Sequence, residues 1–251
     1  MTEIIILSII QGITEFLPIS SSAHLMLISK YLDFNNANLI LDTSLHLGSL
    51  LAIITYFRKD IFNFIKNKNI FLKILISSIP TMIIGFLLVK FSLIEHLRNY
   101  RLIGWTTIIF GIFLYFCDRL KVKKSLDKDF NYTNAFYIGL FQVLSLMPGV
   151  SRSGITMSGA RYFNFNRVDS AKISFLLSIP TLSAASFFNV QKLIIENNFS
   201  VSLLNLLGIF LSFIFSYITI KFLIKFLYKS NLNFFVIYRI ILGFLILVYV
   251  H

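Results

Sequence analysis

Two short stretches of this chain combine residue types that support nucleophilic attack, proton transfer and anion binding. The first, residues 15–24, contains the carboxylate of Glu15, a proline, three consecutive serines and the imidazole of His24. The second, residues 148–154, contains a proline, two glycines, two serines and the guanidinium of Arg152. Polar and ionisable groups are costly inside an apolar environment, so such dense clusters in an apolar chain indicate a functional site. We therefore predict that both stretches form one site for an anionic group.

The serines and the histidine of the first stretch could supply a nucleophile and a base. Ser21 and His24 are three residues apart, which places them on the same face of a helix. A hydroxyl beside an imidazole is the minimal nucleophile–base pair, and a histidine can also protonate a leaving group. Serines at the start of a helix also cap its free N–H groups, and those same groups attract phosphate. Ser20 and Ser22 therefore have a structural and a substrate-binding interpretation.

The carboxylate of Glu15 has a polar neighbour one helical turn earlier. Gln11 and Glu15 are four residues apart and share a helix face. A carboxylate beside an amide suits a hard divalent cation, which prefers oxygen ligands and keeps several waters. In the alternative interpretation, Glu15 accepts hydrogen bonds from the amides of an opposing helix. The sequence predicts Gln11 and Glu15 as metal ligands and leaves that alternative open.

The second stretch supplies the fixed positive charge. A guanidinium binds phosphate through two parallel donors and stays charged when it is buried. Glycines let the backbone approach a ligand closely. The predicted substrate-binding residues are Gly149, Ser151, Ser153 and Thr156, together with Ser20 and Ser22 from the first stretch. Arg152 could instead neutralise Glu15 as a structural ion pair, and that outcome would also place both stretches in one pocket.

The combined set of groups fits phosphoryl transfer, which depends mainly on positioning and charge stabilisation. A further pair, Asp42 and His46, has the i,i+4 spacing that places both side chains on one helix face. This pair could contact residues that themselves bind the ligand, or it could be a solvated start of a helix. Both interpretations remain open for Asp42 and His46.

The composition places these groups in a polytopic α-helical membrane protein. Hydrophobic residues make up 57% and charged residues 14% of the chain, against about 45–50% and about 25% in soluble domains. Six apolar stretches are long enough to cross the hydrocarbon core. They are residues 40–57, 74–90, 102–117, 170–190, 202–222 and 234–250. The net charge of +12 does not indicate a nucleic-acid partner, because the basic residues lie in short loops between apolar stretches.

Two further apolar segments, 3–30 and 134–160, are interrupted near their middles by Leu17-Pro18 and by Pro148-Gly149. Proline breaks a helix, and unpaired backbone at membrane depth is tolerated only where protein or a wet cavity surrounds it. The interruptions therefore predict two re-entrant helix-loop-helix hairpins in addition to the six transmembrane helices.

The basic residues test this topology. Most of them fall in the loops 58–73, 118–133, 161–172 and 221–239, which include Arg161 and Arg239. The positive-inside rule then makes these loops cytoplasmic, provided that both hairpins return to the side they entered from.

The two halves of the chain have the same order of features. We expect one membrane domain, 1–251, built from inverted repeats at about 1–117 and 134–251 that a basic linker, 118–133, connects. Inverted repeats with broken helices are a known way to build an ion or anion site near the bilayer midplane. The string Ser-Ile-Pro-Thr occurs at 78–81 and at 178–181, but its spacing does not match that of the hairpins, so we interpret its recurrence as coincidence.

The two motifs closely resemble those of the bacterial undecaprenyl-diphosphatase family, also called bacitracin-resistance proteins. The matching segments are QGITEFLPISSSAH at 11–24 and PGVSRSGIT at 148–156. Asp42, residues 46–48 and residues 175–180 are also similar to family segments, and the resemblance covers essentially the whole chain.

This resemblance implies a hydrolase of the bacterial cytoplasmic (inner) membrane that removes the terminal phosphate from undecaprenyl diphosphate. The product is a lipid carrier for peptidoglycan synthesis, and bacitracin resistance follows because bacitracin sequesters the diphosphate. The resemblance assigns catalytic roles to Glu15, Ser21, His24 and Arg152. It also implies Mg²⁺ or Ca²⁺ held by Gln11 and Glu15, although many members have a second glutamate where this chain has Gln11.

Several alternatives remain at this stage. Inverted repeats with broken helices also occur in transporters, so a transporter or flippase of a lipid phosphate is the rival function. Either Ser21 attacks the phosphorus, or an activated water does. The side of the membrane, the metal, the isoprenoid length and the oligomeric state are open, with a homodimer among the alternatives.

Overall fold

The computed structural model describes residues 1–32, 39–66, 68–91, 93, 99–195 and 202–249, with the backbone alone for residues 63–66. Residue 67 of the first predicted cytoplasmic loop and residue 250 of the last predicted span lie outside these ranges. The described ranges are predominantly helical and contain no β-strand, which confirms the predicted all-α class.

Twelve α-helices are found in the described ranges. They are α1 Thr2–Thr14, α2 Ser21–Tyr31, α3 Leu39–Tyr56, α4 Arg58–Lys66, α5 Lys68–Lys90, α6 Tyr100–Asp118, α7 Leu126–Asp129, α8 Tyr132–Val143, α9 Arg152–Tyr162, α10 Arg167–Ile195, α11 Leu203–Leu227 and α12 Asn233–Tyr249. A short 3₁₀ turn, Leu144–Leu146, follows α8.

Five of these helices, α3, α5, α6, α10 and α11, are long and apolar enough to cross a membrane. The sixth predicted span corresponds to α12, which is apolar but has 17 residues. Large apolar side chains such as Trp105, Phe222 and Phe244 are exposed on the outer faces of the bundle, as lipid contact requires. The chain is therefore a multi-pass α-helical membrane protein, and the count of six crossings stays a prediction.

Each segment that proline interrupts is a pair of helices, α1 with α2 and α8 with α9. The second helix of each pair begins directly after a serine with positive φ, 74° at Ser20 and 68° at Ser151. In each turn this serine's hydroxyl lies 3.2 Å from the hydroxyl of the serine two residues later, Ser22 and Ser153. The two turns thus have the same local backbone conformation, which is expected if the two halves are related. The inverted orientation of the repeats and the re-entrant path stay predictions.

The packing of the helices crosses between the two halves. The first helix of each broken pair packs on a span from the other half, α1 on α11 and α8 on α5. Glycines allow these helices to lie close together. A Cβ added at Gly12 would collide with Phe215 and Ser216, and one added at Gly139 would collide with the backbone of Ser77. Small residues permit such approach between membrane helices.

Two arginines that the sequence assigned to cytoplasmic loops are buried instead. Arg161 is 1% exposed and donates to the carbonyls of Asp118 and Leu120 at the end of α6 and to the carbonyl of Phe165 after α9. Arg239 is 0% exposed and lies within α12. Their burial has a common reason, because a guanidinium satisfies several helix-end or turn carbonyls at once.

Candidate active site

The carboxylate of Glu15 lies where the two broken helix pairs meet. Arg152 Nη2 donates to Glu15 Oε1 at 2.7 Å. Ser21 Oγ donates to Glu15 Oε2 at 2.7 Å, and Gln11 Nε2 donates to the same oxygen at 3.1 Å. Glu15 is 6% exposed. One buried carboxylate therefore joins the two stretches that the sequence predicted would share a pocket.

The two residues that bind Glu15 from the helix starts have equivalent positions. Ser21 is the first residue of α2, and Arg152 is the first residue of α9. The positive ends of two helix dipoles and a guanidinium thus converge on one point. That arrangement stabilises negative charge, whether it is a carboxylate or the oxygens of a phosphate group.

A cavity of about 370 Å³ opens beside this carboxylate. Its polar end is lined by Glu15, Ser20, Ser21, Ser22, Ser151 and Arg152. Its apolar end is lined by side chains of α5 and α10, among them Met82, Phe86, Leu182 and Phe188. The cavity therefore suits an amphipathic ligand with an anionic head.

The repeated Ser-Ile-Pro-Thr string has a place in this cavity. Thr81 from the copy in α5 and Thr181 from the copy in α10 both line it. The spacing of the copies does not follow the proposed repeats, so their shared location comes from the packing of α5 against α10.

Three predicted substrate-binding residues do not line the cavity. Ser153 Oγ donates to the carbonyl of Leu17 at 2.8 Å, and Thr156 Oγ1 lies 2.6 Å from Ser174 Oγ. Gly149 has a φ of 87°, and its carbonyl accepts a hydrogen bond from an arginine of α12. The polar groups of these residues already have partners within the protein, and the contacts connect the second turn and α9 to the first turn, to α10 and to α12.

In the described structure the ring nitrogens of His24 make no hydrogen bond with Ser21. Its Nδ1 donates to the carbonyl of Ser20 at 2.7 Å, and its Nε2 lies 2.6 Å from the hydroxyl of Tyr238. Because Nδ1 carries the proton in this arrangement, Nε2 of a neutral ring accepts from Tyr238. The predicted Ser21–His24 pair is thus not formed, and His24 instead supports the positive φ of Ser20.

His46, for which the sequence left two interpretations, lines the cavity. Its Nδ1 is 3.0 Å from Gln11 Nε2, and its Nε2 is 3.7 Å from Asp42 Oδ1. The structure favours the interpretation in which the Asp42–His46 pair contacts the site. The sequence signal was the i,i+4 spacing of two titratable residues at the start of a span.

Arg239 connects the two turns, a role that the sequence did not predict. Its Nη2 donates to the carbonyls of Gly149 and Val150 at 3.0 and 2.9 Å. Its Nη1 approaches the carbonyl of Pro18 at 3.5 Å, and its Nε donates to Thr107. The available signal was a single arginine within the last apolar span.

The predicted metal ligands Gln11 and Glu15 lie side by side, and one of their oxygen atoms has no hydrogen-bond partner. Gln11 Oε1 is buried without a hydrogen-bond partner, one helical turn from Glu15. Among the described residues no group of three His, Cys, Asp or Glu side chains could hold a metal. A hard cation would therefore contact Gln11 Oε1 and Glu15 and take its other ligands from water or phosphate, as Mg²⁺ commonly does.

Comparisons with known proteins show the family to which this chain belongs. A family model described as "Bacitracin resistance protein BacA" matches residues 4–245. A protein of Pelagibacter ubique named undecaprenyl-diphosphatase is 48% identical over 250 residues, which cover 99% of this chain and 97% of the relative. Proteins with the same name from Saccharophagus degradans and Campylobacter curvus are 39% and 40% identical, covering 95% and 100% of this chain and 94% and 99% of theirs. Because the family model and these relatives match nearly the whole chain, this protein belongs to the BacA bacitracin-resistance family.

Proposed function

We propose that this protein hydrolyses undecaprenyl diphosphate to undecaprenyl phosphate and inorganic phosphate in the bacterial cytoplasmic membrane. The names of its relatives give the substrate. The observation that carries the proposal is the meeting of Ser21 and Arg152 at one carboxylate, at the polar end of a cavity whose remaining lining is mainly apolar. Recycling of the lipid carrier and bacitracin resistance follow from this activity.

The substrate fits the cavity in one direction. The diphosphate lies at the polar end, where Arg152 and the N-termini of α2 and α9 stabilise its negative charge. The isoprenoid chain leaves along the apolar side chains of α5 and α10, such as Phe86 and Phe188. Only Nη2 of Arg152 is used on Glu15, and a guanidinium has five N–H donors, so the same side chain can also bind phosphate oxygens.

We assign the proton transfer to Glu15 rather than to His24. Ser21 Oγ already donates its hydrogen bond to Glu15 Oε2 at 2.7 Å, so Glu15 can accept the serine proton when Ser21 attacks the terminal phosphorus. The anhydride P–O bond breaks, undecaprenyl phosphate leaves, and water hydrolyses the phosphoserine. In the second route Ser21 and Glu15 orient a water that attacks directly. A Mg²⁺ or Ca²⁺ ion at Gln11 Oε1 and Glu15 would neutralise charge on the diphosphate.

The two routes differ in a measurable product. The serine route leaves a phosphoserine that can be trapped at Ser21. The water route displaces the leaving group once and inverts the configuration at the terminal phosphorus, whereas the serine route displaces twice and retains it, and a substrate with a chiral thiophosphate distinguishes the two.

Phosphate release by the purified protein in detergent tests the proposed function. We expect undecaprenyl diphosphate to yield inorganic phosphate, a chelator to stop the release, and added Mg²⁺ or Ca²⁺ to restore it. A micelle has no second compartment, so a transporter or flippase would release no phosphate. If no phosphate were released at any cation concentration, the proposal would be contradicted. Light scattering on the same preparation determines whether the protein is a homodimer.

The Tyr238→Phe substitution tests the structural role of His24. We expect the free energy of unfolding to fall by about 1–3 kcal/mol, because Nε2 of the buried imidazole would lose its donor. We expect kcat for phosphate release to fall less than about tenfold, since neither ring lines the cavity and such support acts through geometry. Denaturant titration in mixed micelles measures the free energy of unfolding, and the phosphate assay measures kcat. Tyr249→Phe is the matched control, because Tyr249 is 81% exposed, and an unchanged stability of Y238F would contradict the assigned contact.

A further inference from the structure

We propose that His46 is a positioning residue of the hydrolytic site and acts through Gln11. This inference rests on the proposed function. In it, the imidazole of His46 holds the amide of Gln11 so that Nε2 faces Glu15 and Oε1 is left for a ligand. Of the two histidines near the site, His46 lines the cavity, whereas both ring nitrogens of His24 are used on Ser20 and Tyr238.

The orientation of the amide follows from its two acceptors. Gln11 is 0% exposed, and its Nε2 lies 3.1 Å from Glu15 Oε2 and 3.0 Å from His46 Nδ1. An amide nitrogen has two hydrogens, so one is directed at each acceptor. Rotation of the amide by half a turn would place Oε1 against a carboxylate oxygen and remove both hydrogen bonds. His46 therefore secures the second of the two contacts that fix Gln11.

The same contact fixes the tautomer of His46. Because Gln11 Nε2 can only donate, Nδ1 of His46 accepts, and the ring hydrogen lies on Nε2. That nitrogen lies 3.7 Å from Oδ1 of Asp42, whose side chain is 43% exposed. A chain of contacts thus runs from Asp42 in the first turn of α3, through His46 and Gln11, to the buried Glu15.

The free atom at the end of this chain is the functional consequence. Gln11 Oε1 is buried and has no hydrogen-bond partner in the described structure, and a buried acceptor in that state costs free energy until a ligand binds it. An outer partner that orients such a ligand atom commonly changes metal affinity or activity by 10- to 100-fold when it is removed. His46 should therefore matter for chemistry although it need not touch the substrate.

The test compares variants with and without an acceptor at the position of Nδ1. His46→Leu keeps the bulk and removes the acceptor, while His46→Asn keeps a carbonyl oxygen near that position. We expect H46L to lower kcat/KM for undecaprenyl diphosphate by about 10- to 100-fold, and H46N to remain within about threefold of the parent protein. His46→Ala replaces H46L if the leucine impairs folding.

A double-mutant cycle with Gln11→Leu separates positioning from a general structural role. If His46 acts through Gln11, the H46L substitution should cost less than about threefold in the Q11L protein. A readout that does not depend on turnover is Mn²⁺ binding to the substrate-free protein, measured by electron paramagnetic resonance. We expect H46L to weaken Mn²⁺ binding by about tenfold and H46N to restore it.

Three outcomes would overturn the inference. The first is an H46L protein with the kcat/KM and the Mn²⁺ affinity of the parent. The second is an H46L substitution that lowers kcat/KM as much in the Q11L protein as in the parent. The third is an H46N protein that loses as much kcat/KM as H46L. If the parent protein releases no phosphate, the proposed function fails, and the Mn²⁺ titration of the same variants still decides whether His46 positions Gln11.

Discussion

Replacing Arg152 by Ala should reduce kcat/KM for undecaprenyl diphosphate by about 10³-fold or more, the scale of loss when a guanidinium is removed from a phosphoryl-transfer site. Among the described residues, Arg152 is the one lysine or arginine that lines the cavity. Without it, the developing charge on the diphosphate is stabilised by the helix N-termini and the proposed cation but by no guanidinium. Release of inorganic phosphate from the detergent-solubilised protein measures the effect.

The Arg152 substitution also affects folding, and the two effects must be separated. Removing one partner of a buried ion pair typically costs about 3–5 kcal/mol, because the other charge is left uncompensated. Here that charge is Glu15, which would keep only Ser21 and Gln11 as donors. Activity should therefore be expressed per folded molecule, with the unfolding midpoint measured for each variant.

Two further variants sharpen the Arg152 prediction. Arg152→Lys keeps the positive charge and loses the two parallel donors, so we expect an activity between those of R152A and the parent protein. Arg101→Ala is the matched control, because Arg101 is exposed at the start of α6. If R152A retained a tenth of the parent activity, or if R101A lost as much as R152A, the assigned role of Arg152 would be wrong.

Replacing Arg239 by Met should lower the free energy of unfolding by about 3 kcal/mol or more. Methionine keeps much of the length of the side chain but removes the Arg239 donors from the carbonyls of Thr107, Gly149 and Val150, of which Gly149 keeps Thr107 Oγ1 as a donor at 3.3 Å. Each buried carbonyl that loses its partner costs about 1–3 kcal/mol. Titration with a denaturing detergent in mixed micelles measures this loss.

The Arg239 substitution should also reduce activity in the molecules that remain folded. Arg239 contacts both turns, and the first residues after them, Ser21 and Arg152, bind Glu15. A displacement of about 1 Å between catalytic groups can cost about 10²-fold in rate, so we expect a loss of that order.

Controls for Arg239 distinguish geometry from charge. Arg239→Lys keeps the charge but cannot span carbonyls of both turns, so we expect it to recover little of the lost stability. Arg119→Met is the matched control, because Arg119 is exposed and packs on Tyr115. An R239M protein with the stability and activity of the parent would show that the two turns do not need this contact.

Much of the fold could be predicted because membrane burial constrains the sequence strongly. Apolar length predicted the five helices that are long enough to span and also the position of the shorter α12. Pro18 and Pro148 lie in turns between paired helices, where no helical donor is missed, although Pro80 and Pro180 lie inside α5 and α10. The sequence also indicated that Glu15 and Arg152 share a pocket, because neither charge is tolerable alone at that depth.

The misplaced residues all depend on contacts between distant helices. Spacing shows that Ser21 and His24 share a helix face, but the ring nitrogens of His24 bind the carbonyl of Ser20 and the hydroxyl of Tyr238, which α12 places beside it. Basic character alone could not distinguish Arg239, which is buried in α12, from the lysines of the neighbouring loop.

The membrane environment, the two broken helices and the candidate site residues could be predicted from the amino-acid sequence, since these follow from local composition and from the cost of burying polar atoms. Which groups meet became visible in the packed helices: Ser21 and Arg152 on Glu15, His46 on Gln11, and Arg239 across both turns. The reason is physical, because helix spacing specifies neighbours along one helix, whereas neighbours from α3 and α12 depend on how whole helices rotate and pack.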